Sequence, residues 1–219
     1  MKLLLQILFI FCFSFVSGQK WVISRETNKS NKIFHFDHLV HYTSESDGKS
    51  RVLLGYINSK DPNYVLKIFK NSDHSISAKL FSAEDKETFN FKVKQTISKG
   101  ESIFSFEYED STFLGYQRFK NPIYKYSKID DNTLKLEIFK NKKATKILES
   151  HTMKIKSYSQ SLYSAYKVFF VHHSELGDKM MGYPENVFVE ESVIDCGNGT
   201  KVIIKLQEIQ KVDLNVEIP

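Results

Sequence analysis

The side chains best spaced for chemistry lie together in His35, Asp37, His38 and His41. On an extended strand His35, Asp37 and His41 share one face, and His38 shares the other with Phe34, Phe36, Val40 and Tyr42. His35 and Asp37, two positions apart, would give a zinc ion its first two ligands, whereas such an ion takes three or four. His172 or His173 would have to supply a third. The plainer expectation is a wetted strand face, with His38 hydrogen-bonded in or near the core. The local ligand count falls short, so no metal is expected. His172 and His173, adjacent in sequence, point apart on either a helix or a strand, which works against a joint role.

The other reactive groups are poorer. Cys196 sits between Asp195 and Gly197, and a nucleophilic thiol needs an electropositive surrounding that Asp195 opposes. Glu190 and Glu191 face opposite sides of a strand, and Asp130 and Asp131 fall in a turn, so neither pair suits acid–base work. The chain has no Gly-x-Ser-x-Gly elbow, phosphate loop, dinucleotide fingerprint or His-Glu-x-x-His. No catalytic residue and no cofactor is expected. Asn28 and Asn198 head glycosylation sequons, relevant only on a eukaryotic secretory route. What remains is a run of aromatics: Phe89, Phe91, Phe104, Phe106 and Tyr108, then Phe113, Tyr116, Tyr124 and Tyr126. These are either the core of a sheet or, where a curved sheet leaves part of that face open, an apolar groove. The residues expected to bind a ligand are Phe89, Phe91, Phe104, Phe106 and Tyr108.

The elements that must position them are strands. Phe89, Phe91, Val93 and Ile97 alternate with Asn90, Lys92, Lys94 and Thr96, and Phe104, Phe106 and Tyr108 alternate with Ser105 and Glu107. A period of two gives one apolar and one wet face. The breaks at 59–63, 71–73, 83–86 and 98–100 are short and rich in turn residues, which favours antiparallel neighbours over parallel crossovers. Strands are also expected over 20–25, 33–42, 133–140, 144–148 and 151–158, with an extended region over 112–128 bent at Asn121 and Pro122. Residues 162–176 carry Leu162, Ala165, Tyr166, Phe169, His173 and Leu176 at helical spacing, although Val168 to Val171 would suit a buried strand equally; a helix is expected there. Residues 177–184 read as a loop. Three strands close the chain, over 187–194, 202–209 and 212–218, the first two joined by a hairpin through Gly197, Asn198 and Gly199. The fold class is mainly β: a large antiparallel meander, half-barrel or sandwich, with at most one substantial helix near 162–176.

Residues 1–18 read as a signal peptide: Lys2, an apolar run from Leu3 to Val16, and small residues Ser17 and Gly18 before a cut at Gln19. The run is short for a membrane span, which needs about 20 residues. Residues 19–219 then form a single antiparallel β domain, exported to the periplasm or the extracellular space, with no transmembrane span in the mature chain. Cleavage leaves Cys196 as the one thiol, so an intrachain disulfide and a cysteine-ligated zinc are excluded. A net charge of +5 is spread without a basic cluster, so nucleic acid is not an expected partner.

The segment Tyr56 to Tyr64, the meander after it, Tyr183 with Pro184, and the ending Val212–Pro219 resemble uncharacterised exported β proteins of the Bacteroidetes. That resemblance implies location and architecture and carries no active site. More loosely, the strand-rich exported chain is similar to the half-barrel periplasmic lipoprotein carriers, a likeness of architecture only. The function expected is non-enzymatic binding of an apolar ligand, a lipid or acyl chain, in a concave sheet. The alternatives are an envelope structural or interaction protein with a protein partner and no small-molecule ligand and, ranked third, a metal-dependent enzyme on the His35 and Asp37 face.

Overall fold

The computed structural model describes residues 31–98, 101–113, 122–140, 146–171 and 186–219. The expected strand over 20–25, the signal peptide, Tyr116, His172, His173 and the loop over 177–184 lie outside them.

Alternation along the chain produces eleven described strands. β1 (Lys32–Ser46), β2 (Lys49–Ile57), β3 (Tyr64–Lys70), β4 (Ile76–Ser82), β5 (Glu87–Ser98) and β6 (Glu101–Phe113) form one meander. A second contains β7 (Ile123–Asp130), β8 (Thr133–Phe139), β9 (Ile147–Ser157), β10 (Val187–Asp195) and β11 (Lys201–Ile218). A helical segment stands between β9 and β10: α1 (Tyr163–Tyr166) runs into a π turn (Lys167–Val171). All eleven strands join one sheet in the order β6-β5-β4-β3-β2-β1-β11-β10-β9-β8-β7, every pairing antiparallel. Sheet order is therefore chain order, joined at β1 and β11 and cut between β6 and β7.

Two distances show that this sheet curls. Ten residue steps separate Phe113 from Ile123, a reach of at most about 36 Å. Flat strands would put those edges about 48 Å apart. The Tyr56 and Phe106 rings sit 6.3 Å apart, centroid to centroid. They belong to β2 and β6, four places apart in the sheet, which is about 19 Å when flat. Phe34 on β1 likewise meets Phe89 on β5, with centroids 5.8 Å apart.

The interior divides into two clusters. One fills the roll of β1–β6 and the end of β11: Phe34, Phe36, Tyr56, Leu66, Leu80, Phe91, Phe106 and Val216 are among its members. The other lies beneath the helical segment, on β1, β2, β3, β4 and β8–β11, and includes Tyr42, Ile57, Val65, Leu136, Met153, Val189 and Tyr166.

Three expectations are corrected. The separate strands over 144–148 and 151–158 are one strand, β9, because nothing within Ile147–Ser157 forms a turn. The strands over 202–209 and 212–218 are likewise one 18-residue strand, β11. Both halves pair with the long β1, and register shifts near Asp37 and between His41 and Tyr42 absorb the break in alternation. Of the helix expected over 162–176, the described part is one turn of α helix followed by one π turn, and 172–176 lie outside the described residues. Val168, Phe169, Phe170 and Val171 are poor helix formers, and no side chain caps the start at Leu162.

Candidate functional site

The five expected ligand-binding aromatics share one face of β5 and β6. Register places Phe91 opposite Tyr108 and Ala78, Val93 opposite Phe106 and Ile76, and Phe89 opposite Leu80. Phe89, Phe91, Phe104 and Phe106 are buried, between 1% and 5% exposed, and Tyr108 is half-buried beside them. Their rings meet edge to face, Phe91 with Phe106 at 6.3 Å and with Tyr108 at 6.0 Å. Their side chains therefore fill the roll as it stands. Among the described residues no strand pairs with the outer side of β6, so there the described part of the roll is closed by side chains and not by backbone hydrogen bonds. Phe113, at the end of β6, is 76% exposed, and Tyr124 and Tyr126 on β7 pack against the other cluster.

The histidine strand does not keep the single alternation expected of it: the register shift at Asp37 leaves Phe34 and Phe36 in the roll and turns His38 to the opposite side with Val40 and Tyr42. His38 is buried there, opposite Ile57 and edge-on to Tyr158, with its Nδ1 2.8 Å from Asp37 Oδ1. Asp37 also accepts from the Ser59 backbone N–H at 2.9 Å and from the Ser59 hydroxyl. Burial works to raise the Asp37 pKa, but the Ser59 bonds and His38 outweigh it and hold the carboxyl below its ordinary range. His35 bonds Asn215 instead, 3.1 Å away. Asp37 is thus committed to the turn after β2, and among the described residues no three His, Cys, Asp or Glu side chains converge as metal ligands. Cys196 is partly exposed, its backbone N–H closing the β10–β11 hairpin onto Thr200.

The polar groups that sequence reasoning missed lie under the helical segment. Glu149 and His151 alternate on β9 and point inward, and both are essentially unexposed. His151 Nε2 donates to Glu149 Oε1 at 2.9 Å, and its Nδ1 lies 2.8 Å from Tyr166 Oη on α1. Tyr166 donates in turn to Ser192 Oγ on β10, 2.7 Å away. Burial pushes the Tyr166 hydroxyl well up from its usual pKa, despite the Ser192 bond. A continuous chain of four side chains therefore pins α1 to two strands. The available signal was Glu149 and His151 at a spacing of two, inside a strand whose other inward residues are Met153 and Ile155.

Lys67 forms the second missed feature. It stands on β3 with its ammonium donating to the Val168 carbonyl of the π turn, 5.1 Å from the centroids of both Phe81 and Phe169. Burial lowers its pKa to about 7, since apolar surroundings disfavour the charged amine. Gly55, its partner across β2, leaves room for Phe169: a Cβ there would lie 2.6 Å from the ring.

No family model matches the chain, and no curated protein does. Among solved structures it is similar to a LolA superfamily protein from Nitrosomonas europaea. The TM-score is 0.37 at 10% identity, over 82% of this chain and 87% of that one. Overlap at that level assigns no function. No helix among the described residues is long and apolar enough to cross a membrane.

Proposed function

We propose that this is an exported, non-enzymatic protein that binds an apolar ligand, a lipid or acyl chain, against its curved sheet. Phe89, Phe91, Phe104, Phe106 and Tyr108 are the proposed contact surface. The observation that carries this reading is the outer edge of β6, which no described strand pairs with. Parting that side of the roll costs ring contacts, each about 0.5–1.5 kcal/mol, and breaks no ladder bond. An acyl chain entering there recovers about 0.8 kcal/mol for each buried methylene. The N-terminal signal pattern supports export to the periplasm or beyond.

Native mass spectrometry of the mature protein from its own envelope tests the reading. A co-purifying lipid is expected, with occupancy lowered by Tyr108→Glu, which places a charge on this face at a half-buried position. A clean apo mass, with no uptake of added acyl chains, would overturn it.

The tight filling of the roll favours a second reading, an envelope interaction protein recognised through its sheet edges. Cross-linking in intact cells to a single protein neighbour through β6 or β7, with no lipid bound, would select it.

A further inference from the structure

The row of residues that crosses the sheet beneath the π turn runs Val40, Gly55, Lys67, Lys79 and Asn90, each opposite the next. Lys67 and Lys79 are thus direct cross-strand neighbours on one face. Such residues have Cβ atoms about 5 Å apart, and like charges so placed repel. Among the described residues neither lysine has a carboxylate partner: Lys67 has the Val168 carbonyl and two rings, and Lys79 is exposed. The nearest acid along the row is Asp110, opposite Asn90 and bonded by its amide. Lys167, one residue before Val168, is buried and has an interaction of its own. Two lysines with no counter-charge among the described residues therefore adjoin an apolar cover whose Phe169 ring Gly55 leaves room for.

We propose that this row is a head-group site: an amphiphile with an anionic head sets that head between Lys67 and Lys79, its chain lying under Phe169 and Phe170. The site rests on the reading that the sheet takes acyl ligands and adds a second, anionic-headed surface, beneath the helical cover on the face opposite Phe89 and Phe91. The incoming head displaces the Val168 carbonyl from the Lys67 ammonium and brings the counter-charge the pair lacks. Phe169 and Phe170 are only partly buried against the cluster, and the ligand's chain takes their place over the buried Tyr42 ring that both of them meet edge-on. The Tyr166 chain of hydrogen bonds lies one turn earlier and stays intact, giving the cover a hinge.

Calorimetry on the mature protein with dodecanoate, dodecanol and inorganic phosphate separates the outcomes. Dodecanoate is expected to bind at least about tenfold more tightly than dodecanol, one unit of logarithmic affinity being a modest value for a desolvated charge pair. At pH 7 its binding should take up about half a proton, read from the dependence of the heat on buffer. Lys67→Met, which removes a desolvated charge and should fold at least as well, is expected to abolish both the preference and the proton uptake. Lys79→Met should weaken dodecanoate alone. Equal binding of acid and alcohol, or a preference that survives Lys67→Met, would overturn the head-group site and leave the apolar-ligand reading standing. Phosphate binding as tight as dodecanoate would overturn it in favour of a small-anion site. Failure of both chains to bind would overturn the apolar-ligand reading along with it.

Discussion

Single residues under the helical cover contribute out of proportion to their number. Tyr166 joins His151 to Ser192 with every partner buried. Tyr166→Phe is expected to cost about 1–3 kcal/mol in urea unfolding, because it strands a buried ring nitrogen and a hydroxyl. Tyr126→Phe, which removes a part-buried hydroxyl bond to Tyr163, should cost less. Lys67 gives a pH signature whose sign follows from its lowered pKa. The unfolded chain binds a proton at Lys67 up to about pH 10.4, the folded chain only below about 7. Folding therefore carries the full penalty below pH 7, and the penalty fades as pH rises toward the unfolded value. Lys67→Met should stabilise the protein at pH 6, and by about 3 kcal/mol less at pH 9, as denaturant titrations at the two pH values would show. Neither role could be read from the sequence, where His151 is one polar residue in an alternating strand and Lys67 one lysine among many. What distinguishes them is burial, which depends on what folds over them.

At the scale of elements, the strands were legible because half-buried antiparallel strands alternate, and Phe89 to Val93 and Phe104 to Tyr108 do so without interruption. Strand ends were not legible where a bulge replaces a turn: Ile209 to Val212 breaks the alternation, yet β11 continues through it. The helical segment was visible as a period, but its spacing says nothing of the low helix propensity of Val168 to Val171, where a π turn replaces the α helix. The faces expected along β1 fail past Asp37, because the bulge there sets His38 and Val40 on the side opposite Phe34 and Phe36; the commitment of Asp37 to Ser59 depends on a turn 22 residues away. The docking of the cover can be probed through Gly55. Gly55→Ala drives a Cβ into the Phe169 ring and is expected to destabilise by about 1–3 kcal/mol, as overpacking does. Combined with Phe169→Ala, most of that loss should disappear, a coupling visible in a double-mutant cycle of unfolding free energies.

For the whole molecule, topology makes one pairing unlike the rest. All neighbours in the sheet are also neighbours in sequence except β1 and β11, whose thirteen registered pairs run from Lys32 opposite Ile218 to Glu45 opposite Ile203. Their closure is the long-range step that topology makes slow. A circular permutant that links Pro219 to Lys32 by a short loop and opens the chain between Phe113 and Ile123 makes every pairing local. It is expected to keep the circular dichroism spectrum and to refold faster than the parent in stopped-flow experiments. An unchanged refolding rate would show that β1–β11 closure is not limiting.

That same ladder sets how the molecule responds to force. Lys32 and Ile218 sit side by side at one end of antiparallel strands, so tension applied to both ends of the fold opens rungs singly, like a zipper, and never shears them together. A machine that tugs on either terminus meets little resistance before β1 and β11 part. The two meanders would then separate with their own hairpins still intact.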